Sequence, residues 1–148
     1  MNYRIYNGAS LATTVTTKSY TFSNLQPCTT YQLNVAAYNG LREGNRATIL
    51  IKTRGVRFVV AKTLTLNSTV TLSYQEYSIG LVPIGTEPVG MFGGGNQQTL
   101  TAKVIASANG QSTIEIQSNF NKLPENTKLI LQNGVYCAFV GYKAIYLR

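Results

Sequence analysis

The chain has 148 residues, 44% of them apolar, so a hydrophobic core can be built and wholesale disorder is excluded. The 13 basic residues outnumber the 5 acids to give a net charge of +8, and the chain has neither Asp nor His. Those two absences exclude Ser-His-Asp and Cys-His nucleophile systems, Cys2His2 zinc fingers and EF-hand loops. Cys28 and Cys137 are too few for a disulfide framework and are expected as free thiols, Cys137 in the core and Cys28 in a turn. No charged-then-apolar leader opens the sequence, and its apolar runs fall short of the ~20 residues a membrane helix needs. The expectation is a soluble chain made in the cytoplasm, without membrane contact or cofactor.

In chain order, residues 2–7 alternate, with Tyr3 and Ile5 on one face and Arg4 and Tyr6 on the other, before a tight turn at Asn7-Gly8. Residues 11–17 are a β-branched run. Residues 19–25 read as a strand with Tyr20 and Phe22 on one face and Leu25 at its end. In 31–38, Tyr31, Leu33, Val35 and Ala37 point one way, and Gln32, Asn34 and Ala36 the other, as a half-buried antiparallel strand requires. Asn39-Gly40 makes a turn, and 47–53 is a further strand. Beyond Gly55, residues 57–82 read as two or three strands with a polar break at Asn67-Ser68. Pro83, Pro88 and the glycines from Gly90 onward mark a long loop. Residues 101–117 are a hairpin on Asn109-Gly110, and 127–148 repeat the device on Asn133-Gly134.

The strand-and-turn YRIYNG, the block SYTFSNLQPCTTYQLNVAAYN and the strand ATILIKT together resemble a fibronectin type III module. The resemblance covers residues 2–53. It implies a tyrosine corner on Leu25, Pro27 and Tyr31, in which the Tyr hydroxyl bonds back to the preceding turn. It also implies that the opening strands of the module, one of them carrying the usual core Trp, lie before Met1; the chain has no Trp. The expected architecture is all-β: a partial fibronectin/immunoglobulin-like antiparallel sandwich over 1–54 and a second β-rich domain over 55–148. The face bearing Tyr3, Ile5, Phe22, Leu33 and Val35 then lacks its usual cover, which makes it a candidate interface. Met91 and Phe92, at the edge of the Gly-rich loop, are two further candidates.

Six basic residues, Arg42, Arg46, Lys52, Arg54, Arg57 and Lys62, fall close together in sequence and form a candidate basic patch. A glycosidase needs two carboxylates tuned as a pair, and the spacing of Glu43, Glu76, Glu87, Glu115 and Glu125 suggests none. Gly93-Gly94-Gly95 lacks the Lys-Ser/Thr of a phosphate-binding loop. Fibronectin-like modules of bacterial and viral proteins occur on secreted polysaccharide-degrading enzymes, on adhesins and in bacteriophage tails. Without an export signal, the resemblance implies a non-enzymatic virion structural protein of a tailed bacteriophage, in the tail or baseplate, with a potential role in host adsorption. Its partners would be further copies of itself, as a dimer or trimer, other virion proteins and host cell-surface polysaccharide. The alternatives are a carbohydrate-binding or adhesion module of a surface or secreted protein, and a basic barrel binding single-stranded nucleic acid, the latter the less favoured.

Overall fold

The computed structural model of the protein describes residues 1–77 and 96–148. Pro83, Glu87, Pro88, Met91 and Phe92, with the Gly-rich loop expected around them, lie outside the described residues. All regular structure among the described residues is strand, as expected, and none of it is a helix able to cross a membrane. The chain divides into two compact units, Met1–Arg54 and Gly55–Arg148.

The first unit is one antiparallel sheet of four strands: β1 (Asn2–Asn7), β2 (Ser10–Val15), β3 (Thr30–Tyr38) and β4 (Ala47–Lys52), in the order β2-β1-β3-β4. Register follows the alternation in sequence. Tyr3 lies opposite Ala37, Ile5 opposite Val35, and Leu33 opposite Ile49, so these side chains share one face. Arg4, Tyr6, Asn34 and Ala36 share the other. An extra residue in β2 bulges the pairing between Ile5 and Tyr6.

Three local expectations are corrected. The first turn is Gly8-Ala9 rather than Asn7-Gly8, because Asn7 still pairs with Ser10. β2 ends at Val15, short of residue 17. Residues 19–25 are not a strand. Their alternation is real, since Tyr20 and Phe22 project together and meet edge to face at 4.9 Å. A strand, however, needs a neighbour to pair its backbone groups, and among the described residues this segment has none. It runs instead across the Tyr3–Ile5–Val35 face as a strap.

The second unit is a closed barrel, ordered β10-β11-β6-β7-β8-β5-β9. Its strands are β5 (Arg57–Val60), β6 (Thr69–Glu76), β7 (Gln97–Ala108), β8 (Gln111–Ile116), β9 (Thr127–Gln132), β10 (Val135–Val140) and β11 (Lys143–Leu147). Asn109-Gly110 and Asn133-Gly134 all adopt positive φ, which sets the twist of two-residue hairpin turns. The hairpins do not stand alone: β5 pairs with β8 on one side and, in parallel, with β9 on the other, which closes the ladder. Alternate residues fill the interior, among them Phe58, Leu72, Leu100, Val104, Ile114, Ile116, Leu129 and Ile145. Phe120 packs edge-on against Tyr74 at 5.0 Å and Phe58 at 6.3 Å. Buried Ser112 is satisfied: it donates to Lys62 O and accepts from Leu64 N–H, both at 2.8 Å. A Cβ on Gly55 would overlap the Ile116 carbonyl oxygen, so only glycine lets the backbone enter the barrel there.

Ahead of β3, the Gln26 N–H donates to the Tyr31 hydroxyl at 2.9 Å, and Thr53 donates to Gln26 O at 2.5 Å. Leu25 and Pro27 are half-buried beside them. This geometry supports the reading of Tyr31 as the fastener of the 24–29 turn. Tyr31→Phe, which removes one bond near solvent, is expected to cost about 0.5–1 kcal/mol. Tyr31→Ala also loses a half-buried ring and should cost about 2 kcal/mol. Urea denaturation that left both variants at wild-type stability would contradict the assignment.

Candidate interaction surfaces

The two faces of the first sheet are finished differently. Asn39 bends the chain after β3 by accepting from the Leu41 and Arg42 N–H groups at 2.9 and 2.8 Å. This brings Glu43 back to bridge Tyr38. Glu43 accepts from Arg4 at 3.0 Å, from Arg46 at 2.9 Å and from the Tyr6 hydroxyl. The Arg4 guanidinium stacks 3.8 Å from the Tyr38 ring centre, and that of Arg46 3.6 Å from that of Tyr6. The Tyr6 hydroxyl and the two guanidiniums hold the Glu43 carboxyl down at about 2. Asn34 donates to Gly8 O at 2.7 Å and accepts from Thr48 at 2.6 Å. Tyr6, Asn34 and Ala36 are therefore buried. The alternation in sequence assigned Asn34 and Ala36 to the outer face of β3. The returning loop, which alternation does not encode, covers Tyr6 through Glu43 and Arg46, while Gly8 and Thr48 take up the Asn34 amide.

The opposite face is apolar and only half covered. The strap of residues 17–22 and the strands leave a groove of about 440 Å³ between them, lined mainly by Tyr3, Ile5, Tyr20, Phe22, Leu33, Val35 and Ile49. Ile5 is buried, but Val35 stays 39% and Ile49 59% exposed. The structure thus brings Tyr3, Ile5, Phe22, Leu33 and Val35 together on one surface. Ile49 was missed; a two-residue period carried into ATILIKT places it on this face with Ala47 and Ile51.

The six basic residues are divided between the two units. Arg42, Arg46, Lys52 and Arg54 belong to the first unit, Arg57 and Lys62 to the second. Arg46 is taken by Glu43, Arg57 donates to Glu115 at 2.8 Å, and Lys62 lies 5.6 Å from the Tyr136 ring centre. Near the C-terminus Tyr146 shares a 2.8 Å hydroxyl contact with Tyr77, which leaves Tyr142 as the exposed ring. Among the described residues no three His, Cys, Asp or Glu side chains gather as a metal site. Among the described residues the large shifts in titration run away from neutrality. Burial pushes Tyr74 up to about 12 and raises Tyr146 and the Cys137 thiol, while Glu43 is driven down.

The Glu43 network makes the first sheet acid-sensitive. Its carboxyl titrates near 2 when folded and at 4.5 ordinarily. Its contribution is therefore complete above the ordinary value and is lost as pH falls through the folded one. Glu43→Gln should lower the stability of the first unit at neutral pH. The gap to wild type, read by urea denaturation, should narrow between pH 4.5 and about 2. A gap independent of pH over that interval would contradict the network's role.

Residues 49–148 match the family model of the baseplate upper protein immunoglobulin like domain, starting within β4 and covering the whole barrel unit. The match thus falls mostly outside residues 2–53, where the sequence resembles a fibronectin type III module. No curated protein and no solved structure matches the chain. With about two thirds of its length inside the family model, the chain belongs to the baseplate upper protein immunoglobulin-like domain family, structural proteins of the bacteriophage tail.

Proposed function

We propose that this protein is a non-enzymatic building block of the phage baseplate that works by contact with other virion proteins and with further copies of itself. The family match over residues 49–148 carries the reading. The half-covered apolar face of the first sheet supports it. An open apolar groove that includes a 59% exposed Ile49 is a surface that gains from being covered by protein. The absence of His and Asp from the sequence, and titration shifts that run away from neutral pH, support a role without catalysis.

In this reading the protein serves host adsorption through the particle it helps to build. Direct capture of host polysaccharide is the weaker alternative. The chain has no Trp, and Tyr20 and Phe22 stack on each other over the groove. Binding of single-stranded nucleic acid is weaker still, because the basic residues are divided between two units and at least three of them are already engaged.

Purified wild-type protein is expected to reach a dimer or trimer in light scattering as its concentration rises. Val35→Asp, a charge on the half-covered face, should both dissociate it and reduce its stability. Cross-linking mass spectrometry on intact particles should find residues 1–54 joined to other baseplate chains. Turnover of peptidoglycan or teichoic acid by the protein, abolished by a single Glu→Gln change, would overturn the reading.

A further inference from the structure

The far edge of β4 ends the first sheet. Among the described residues β4 pairs only with β3, and no strand lies on its far edge. Native edge strands are blunted by charge, proline or a bulge. The other edge, β2, carries a bulge. β4 has none of these along Ala47–Ile51; its register is regular, and Ile49 and Leu50 are 59% and 69% exposed.

The direction of the open backbone groups follows from one hydrogen bond. The Thr53 N–H donates to Thr29 O at 3.0 Å. By the two-residue period, Ile49 and Ile51 likewise turn their backbone groups toward β3. Thr48, Leu50 and Lys52 therefore turn their N–H and C=O groups outward, unpaired within the sheet.

We propose that β4 pairs antiparallel with β4 of a second copy about a two-fold axis at Leu50, joining two four-stranded sheets into one. This rests on the self-association proposed above and adds to the Val35 face a second contact, along the β4 edge. The register is set by the outward groups. Leu50 meets the second copy's Leu50, and Thr48 meets the second copy's Lys52, each pair exchanging two hydrogen bonds. Ile49 then lies opposite the second copy's Ile51 on the groove face, so the added strand continues the apolar surface that Ile49 already lines. Charge disfavours the register centred on Ile49, and the one centred on Ile51 loses the apolar pair by setting Ile49 against Thr53. Centring the axis on Ile49 would set Lys52 against Arg46, whereas centring it on Leu50 sets Lys52 against Thr48. The next positions outward, Arg46 and Arg54, lie beyond the strand ends, and Glu43 holds Arg46 at 2.9 Å. Six residues per strand bury less than the ~1,200 Å² of a stable interface. The pairing is thus weak in free solution and strengthened in a particle, where neighbouring copies are held close.

Sedimentation equilibrium from micromolar to near-millimolar protein, with disulfide trapping, tests the register. In a Cys28→Ser background, Leu50→Cys should form a disulfide-linked dimer under mild oxidant well ahead of Leu66→Cys, an exposed barrel position. Thr48→Cys and Lys52→Cys should each cross-link poorly alone and readily when mixed. Leu50→Lys should weaken association by about tenfold while its circular dichroism stays that of wild type. If the wild type associates but Leu50→Lys associates equally well, or Leu50→Cys traps no faster than Leu66→Cys, the β4 assignment is overturned and self-association stands. If the wild type is monomeric at every concentration, both are overturned.

Discussion

The parallel pairing of β5 with β9 is the contact on which the second unit depends. Every other pairing among the described strands of that unit is antiparallel, and most join strands adjacent in sequence. The β5–β9 pairing brings residues 58–60 against 127–129 and so closes the ladder. Closure removes both edges at once and lets alternate side chains fill the interior. Gly55 sits at the entrance to that arrangement, where the carbonyl of Ile116 leaves no room for a Cβ.

The first unit meets the same requirement and does not close. Its four strands leave two edges, and its two faces are treated unequally. One face is sealed by a loop that carries its own carboxylate, Glu43, into a cage of two guanidiniums and a phenol. The other is left with a strap and a groove. A half-buried apolar face and a smooth edge strand on one small unit are features that a solitary protein avoids and an assembled one uses.

Much of this was legible in sequence, and the exceptions share a cause. Alternation located β1 and β3, a β-branched run marked β4, and Asn-Gly pairs located two hairpins of the barrel, because these signals are local; that 127–148 holds a third strand, β11, was not read. Residues 19–25 carried the same alternation without becoming a strand, because pairing depends on a partner elsewhere in the chain. Asn34 and Ala36 were assigned outward because nothing in their own strand shows that they are buried, Asn34 against Gly8 and Thr48 of neighbouring segments. The basic residues clustered in sequence yet fall in two units. The Glu43 cage joins positions 4, 6, 43 and 46, brought together from two separate stretches of chain. Parallel closure between β5 and β9, far apart in sequence, left no local trace either.

What matters most for function is whether the Tyr3–Ile5–Val35 face is covered by protein once the particle is built. A cryo-electron microscopy map of the intact baseplate tests it most directly. A packed protein layer is expected over that face, at the ~10 Å spacing of stacked sheets or closer. A map in which that face looks onto open solvent in every copy would contradict it.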